Sequence, residues 1–281
     1  MLKLDLFDES FDINRTETYE LSIQLTLNGF SFTVKDSVRN SFIALYSQPF
    51  EIGLNLNADW LQLVKQMVSG HELLTRQFKK VLFNFQNPVF TVAPKEFFTP
   101  EHAKSILELV CAIPEMDEVR YSNTTSDLVS IFTIPTLLAT EWLKIQPKTT
   151  FIGTGEPLLI LGAVLAKGSI STVLVSNIKP FPYLAFFTSG NLNHCGSIFA
   201  QNQNDTAYHT INICQKLNLT PAETLVFVMG QDDETEQLSM LLGKYFMSSS
   251  LSLPSELNHY TYQLLRYKNQ FSTLYNLSLC E

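Results

Sequence analysis

Few side chains in this 281-residue chain are arranged to do chemistry. Gly153-Thr154-Gly155-Glu156-Pro157 resembles the opening of a dinucleotide loop, in which glycines let the backbone approach a pyrophosphate. The third glycine is missing, and Pro157 suits a first helical turn, so the segment reads as a turn followed by a helix start. His194-Cys195 pairs a base with a nucleophile, but strand neighbours project to opposite faces, which keeps imidazole and thiol apart. The expectation there is an exposed histidine beside a buried thiol. His209 and Cys214 share a helix without sharing a tight face, which argues against a metal site. Asp232, Asp233, Glu234 and Glu236 are acidic, yet successive helical carboxylates fan outward and read as a solvated helix start. No HExxH, GxSxG or P-loop pattern occurs. No catalytic residue and no metal ligand is assigned.

The elements that would position a site repeat. Leu21-Ser22-Ile23-Gln24-Leu25-Thr26-Leu27 is apolar at every second residue and predicts a strand. Asn28-Gly29 predicts a hairpin turn with positive φ at Gly29. Phe30 to Val34 returns antiparallel, Lys35 to Asn40 turns, and Ser41 to Leu45 is a third strand. A helix capped by Asn57 or Asp59 presents Trp60, Leu61, Val64, Met67 and Val68 on one face, and Val81 to Phe85 is the fourth strand. The same order returns from Ser171. Its strands are Thr172–Val175, Tyr183–Thr188 and Gly196–Ala200, followed by a helix from Asn204 or Asp205 and the strand Leu225–Met229. A further helix runs from about Asp232 to Phe246. Between the repeats, Val89–Val92, a helix from Thr99-Pro100 through Val110, Glu118–Tyr121, Leu128–Ile134, Pro135–Ile145 and Thr149–Ile152 follow a ferredoxin-like βαββαβ order. Glu156 to Ala166 is helical and ends at Gly168. The stretch from Leu257 to Leu277 accommodates helix or strand, and helix is expected.

Composition bounds the function. The chain has 45% hydrophobic and 16% charged residues with a net charge of −8. Its densest basic stretch, Arg76 to Lys80, is too short to track a phosphate backbone, so nucleic acid is a poor partner. The start of the chain is acidic and alternating, unlike a signal peptide. Its longest apolar run, Pro157 to Ala166, falls short of the roughly 20 residues of a membrane helix, so no membrane insertion is expected. Cys111, Cys195, Cys214 and Cys280 show no CxxC spacing and suit free thiols in a reducing compartment. The expected location is cytoplasmic.

Three antiparallel strands, a helix and a parallel fourth strand resemble the ribonuclease-H-like unit. Two such units resemble the actin-like ATPase fold. The predicted class is therefore α/β, with two ribonuclease-H-like βββαβ-α lobes. Residues 1–168 form the first, with the ferredoxin-like insertion at about 88–152, and residues 169–281 the second. Leu21-Ser22-Ile23, Asn28-Gly29-Phe30-Ser31-Phe32, Thr91 to Phe98 and Leu279-Cys280-Glu281 are similar to an uncharacterised bacterial family of Bacteroides-type organisms.

The resemblance implies where a nucleotide would lie. Asn28, Gly29 and Ser31 match the first phosphate hairpin, and Gly230 matches one glycine of the adenosine turn. The magnesium-organising carboxylate falls on Leu27, which offers no oxygen. The second hairpin, Ser176 to Pro182, has no glycine, and Pro180 and Pro182 lack donors. Asp232 to Glu234 place negative charge nearby. These four positions read as vestigial cofactor-binding residues. The expectation is a non-catalytic, pseudo-ATPase scaffold or adaptor with no cofactor, which works through an unidentified protein partner and is compatible with a homo-oligomer. The alternative is an atypical ATP- or phosphosugar-binding enzyme, using ATP and magnesium.

Overall fold

A computed structural model describes residues 2–50, 59–125, 127–166, 170–230, 233–251 and 259–280. The expected helix cap at Asn57, the helix end at Gly168 and the carboxylate of Asp232 lie outside the described residues. The chain forms two compact units, Met1–Thr154 with Asn258–Arg266 and Glu281, and Gly155–Leu257 with Tyr267–Cys280. It passes from one to the other at Thr154–Gly155, ahead of the helix that starts at Glu156.

In the first unit, β1 (Leu4–Phe7), β2 (Tyr19–Thr26), β3 (Gly29–Asp36) and β4 (Ser41–Pro49) precede helix α1 (Trp60–Gly70) and β5 (Lys80–Phe85). Asp59 caps α1 by accepting the Gln62 N–H at 3.0 Å. β2 pairs antiparallel with β3 and parallel with β5, the arrangement that the repeat predicted. Leu21, Ile23, Leu25, Phe32 and Val34 are fully buried, as their alternation requires. Intervening polar residues are buried too. Gln24 Nε2 lies 3.5 Å from Asn84 Oδ1, and Asn84 donates to the carbonyls of Ile152 and Gly153 at 3.0 Å.

After β5 come β6 (Phe90–Pro94), α2 (Ala103–Glu108), β7 (Asp117–Asn123), β8 (Leu128–Pro135), α3 (Thr136–Ile145) and β9 (Thr149–Ile152). Their order is the expected βαββαβ, but they do not form one ferredoxin-like sheet. Only β6, β8 and β7 pair, in that order, as a three-stranded sheet. β9 instead pairs parallel with β5, and the main sheet reads β1-β4-β3-β2-β5-β9. The reason is packing. Phe83 on β5 meets Trp142 of α3 at 5.1 Å and Phe151 of β9 at 5.6 Å between ring centroids. Burying such rings is worth about 1.5–3 kcal/mol each. Thus α3 and β9 complete the first unit, and the insertion contracts to β6-α2-β7-β8.

The insertion is fastened at its root by Asn87, whose Nδ2 donates to Thr133 O at 2.8 Å and whose Oδ1 accepts Val89 N at 2.7 Å. Thr154 Oγ1 donates to Asn87 O at 2.9 Å and accepts Asn87 N at 3.2 Å. Late in the chain, β15 (His259–Tyr260) and α7 (Tyr262–Leu265) belong to this unit, and β15 adds to β4.

The second unit opens with α4 (Glu156–Leu165), which has Pro157 in its first turn as expected. β10 (Ser171–Ser176), β11 (Tyr183–Thr188), β12 (Asn191–Ser197), α5 (Gln203–Lys216), β13 (Thr224–Met229), α6 (Asp233–Leu242), β14 (Ser248–Ser250) and α8 (Ser272–Asn276) follow. The sheet order β12-β11-β10-β13-β14 repeats β4-β3-β2-β5-β9 of the first unit, with α6 and β14 standing where α3 and β9 stand. Val173, Val175, Leu184, Phe186, Val226 and Val228 form its core with Leu238 and Leu242 of α6. β12 starts five residues before the expected strand. Ser189 and Gly190, with φ of 51° and 81°, close a two-residue turn, so pairing resumes at once at Asn191. Asn202 caps α5, accepting the N–H groups of Asn204 and Asp205.

Near the other end of the first unit's sheet, the His71 ring lies 3.8 Å from that of Tyr46 and 5.3 Å from that of Phe32. Burial pushes its pKa down, with Asp5 opposing. A depressed folded-state pKa makes this contribution to stability present above the ordinary value of 6.5 and lost as pH falls below it. His71→Phe should therefore flatten the decline of denaturant midpoint below about pH 6.5, measured by urea titration. Replacing Asn87 with Ala should lower stability by about 1–3 kcal/mol by stripping partners from buried backbone groups. Unchanged urea unfolding in that variant would contradict the fastening role.

Candidate functional site

Asn28, Gly29 and Ser31 lie in the first unit, and Gly230 lies in the second. In the first hairpin the turn residues are Leu27 and Asn28, because Thr26 pairs with Gly29. Gly29 is buried strand backbone, and among the described glycines positive φ is found at Gly190. The expected turn was therefore read one residue late. Thr26 supplies the reason: its hydroxyl accepts Asn28 N–H at 3.1 Å and donates to Gly29 O at 3.2 Å. Phe50 N–H bonds Asn28 O at 2.9 Å. Asn28 remains exposed, but its N–H points to a threonine. Ser31 is fully buried, opposite Gln24 and Ser47, with no hydrogen-bond partner on Oγ. Leu27, in the carboxylate position, is in the turn and offers no metal-binding oxygen. A threonine two residues before an asparagine was the available signal for this turn.

The connection between β10 and β11 is occupied by its own side chains. Asn177 N–H bonds Met229 O at 2.7 Å, and its Nδ2 reaches Thr235 Oγ1 at 3.4 Å. Lys179 forms an ion pair with Glu234 of α6. The carbonyls of Pro180 and Pro182 accept N–H groups of Ala200 and Ile198 at 3.0 Å. Phe181 packs on Phe199 at 5.9 Å. The Lys179–Glu234 pair was not expected: the acidic helix start is met by a cation from a loop some fifty residues away.

Gly230 follows β13, and its lack of a side chain has a local explanation. A Cβ there would overlap Thr235 Oγ1 and crowd Thr235 Cγ2. The space next to this glycine holds the chain's own threonine. No sequence signal links two residues separated by a helix start. The residues at these positions do not fit a magnesium–triphosphate group: they supply no carboxylate at Leu27, a proline-rich second loop and a glycine contacted by Thr235.

The remaining candidates sit in separate surroundings. The Cys195 thiol meets the fully buried Tyr183, and burial pushes both pKa values up. His194 lies on Phe186 at 6.0 Å. Cys214 is in the core and donates to Leu219 O, while His209 meets the exposed Tyr208 ring edge to face. Among the described residues, no three His, Cys, Asp or Glu side chains converge to hold a metal, and no helix is long and apolar enough to cross a membrane.

Two β-β-β-α-β-α-β units of identical sheet order, the first carrying a small inserted sheet, define the actin-like ATPase fold, and sequence comparison assigns the family. The chain belongs to the DUF3822 family. That family's model, described as a protein of unknown function, matches residues 8–248. A Bacteroides thetaiotaomicron protein described as having an actin-like ATPase fold and unknown function is similar, with a TM-score of 0.80 at 19% identity over 96% of this chain and 99% of that one. A PilM–PilN type IV pilus biogenesis complex gives 0.57 at 12% identity over 94% and 98%. The ethanolamine utilization protein EutJ of Carboxydothermus hydrogenoformans gives 0.50 at 7% over 94% and 90%. No curated protein sequence matches the chain.

The Gly230–Thr235 contact can be tested by a double-mutant cycle. Gly230→Ala should destabilise by about 1–3 kcal/mol through overpacking, and Thr235→Ala should recover most of that loss. Additive effects of the two changes in denaturant melts would show that the contact is not the cause.

Proposed function

We propose that this protein is a non-catalytic, cytoplasmic pseudo-ATPase that acts as a scaffold or adaptor by binding another protein. The observation that carries the reading is the second hairpin with the end of β13. There Asn177 reaches Thr235 and Lys179 pairs with Glu234, in a region that the fold otherwise gives to phosphate and adenosine. Leu27 in the carboxylate position and the sealed hydroxyl of Ser31 support the same reading. Asn28, Gly29 and Ser31 in the first unit, and Gly230 in the second, are then remnants of nucleotide-binding positions. A neighbour of this fold is a PilM–PilN complex, which supports a protein as the partner. A homo-oligomer is compatible with this role.

The rival is an ATP- or phosphosugar-binding enzyme with an atypical site. A triphosphate depends on donors and cations for compensation, and several are missing together here. Calorimetric titration with MgATP should show no binding tighter than about 1 mM, about −4 kcal/mol. Micromolar affinity abolished by Gly230→Asp would overturn the reading in favour of the enzyme.

A further inference from the structure

Three large apolar side chains stand in solvent within one connection of the insertion. Between α2 and β7, Leu109, Val110 and Met116 are 84%, 62% and 81% exposed. Their display is held by the fold. Cys111 and Ile113, from the same connection, turn inward against the core of Ala103, Leu107, Val129 and Ile131. The N–H groups of Val110 and Cys111 bond Leu107 O at 3.1 and 3.0 Å. At the far end, Met116 O accepts Thr136 N at 2.9 Å, and Asp117 N bonds Pro114 O at 3.1 Å. The connection is therefore pinned from both ends while it carries three exposed large apolar residues between positions 109 and 116, and exposed apolar surface of this kind suits an interaction site.

The surrounding charge is acidic. Glu108, Glu115, Asp117 and Glu118 flank the three side chains, and the cations on the adjoining elements are Lys104 and Arg120. Lys104 lies 3.8 Å from Glu108. Arg120 is bonded to Glu118 at 2.6 Å and rests 4.4 Å over the Phe151 ring. Both cations are engaged. Among the described residues Glu115 and Asp117 form no ion pair. Glu115 is exposed, whereas Asp117 is half-buried and burial pushes its carboxyl pKa up against a hydrogen bond from Thr133, so Glu115 supplies the main uncompensated charge of the rim.

We propose that Leu109, Val110 and Met116, rimmed by Glu115 and Asp117, dock a basic amphipathic segment of a protein partner. Its apolar face would cover the three side chains, and its lysines or arginines would meet the carboxylates. The same rim repels an anionic lipid surface, which favours protein over membrane as the occupant. This assignment rests on the protein-binding reading and names its surface and partner chemistry.

The test uses the full chain and a fluorescein-labelled amphipathic leucine–lysine peptide, with anisotropy as readout. The peptide should bind, and Leu109→Ser with Met116→Ser should weaken it about tenfold, as should Glu115→Lys with Asp117→Lys. A control pair in the second unit, Tyr208→Ser with Met240→Ser, removes exposed apolar side chains elsewhere and should leave affinity unchanged. A leucine–glutamate peptide and phosphatidylserine vesicles should not bind. Thermal melts establish that each variant is folded. Absence of peptide binding, affinity indifferent to the two insertion variants, or vesicle binding that they abolish would overturn the assignment. Peptide binding that survives these changes sinks this surface alone, whereas micromolar MgATP binding sinks the underlying reading.

Discussion

The parallel pairing of the first and fourth strands in each unit, β2 with β5 and β10 with β13, is the constraint on which the rest depends. An antiparallel neighbour is reached by two residues, as at Leu27-Asn28 and Ser189-Gly190. A parallel neighbour needs a crossover long enough to return to the same end of the sheet, and here α1 and α5 provide it. Each crossover helix must bury one face on the strands it links. That requirement produces the Leu63–Val64–Met67 face of α1 and the Ala207–Cys214 face of α5. Once the fourth strand lies parallel to the first, its outer edge is free for one more parallel strand, β9 in one unit and β14 in the other.

That free edge explains the insertion. Chain leaving β5 can make a detour before it returns through α3 to β9, provided that the departure and the return are tied together. Asn87 and Thr154 tie them, one at the exit from β5 and one just past β9, through hydrogen bonds in both directions. The detour then builds its own small core around Leu107, Val129 and Ile131. A small core of this kind covers few side chains, and the connection from α2 to β7 leaves three large ones outside.

Polar groups inside the sheets are a second theme. Gln24, Asn84 and the carbonyls after β9 form a buried chain of hydrogen bonds in the first unit. In the second, Asn177 links Met229 to Thr235. In Gln24 and Asn177 the amide nitrogen reaches a partner, while Gln24 Oε1 and Asn177 Oδ1 have none. These amides tie neighbouring strands and loops together within each unit.

Strand alternation at Leu21–Thr26, the helical face after Asp59 and the recurrence of one element order were legible in the chain because periodicity is a local property. So was the chemistry of three side chains, since Leu27 carries no carboxylate and Pro180 and Pro182 carry no N–H whatever surrounds them. The turn at Leu27-Asn28 was misread because Thr26 competes for the backbone N–H that would place Gly29 in the turn. The affiliation of β9 was not legible: a four-residue strand carries no mark of its neighbour, and only the Phe83–Trp142–Phe151 contacts decide it. The same holds for Lys179 with Glu234 and for Gly230 with Thr235, where partners meet through the packing of α6 on β13. Periodicity determined the elements; side-chain contact across long sequence separation, which depends on three-dimensional packing, decided which sheet each joined and what packs beside Gly230.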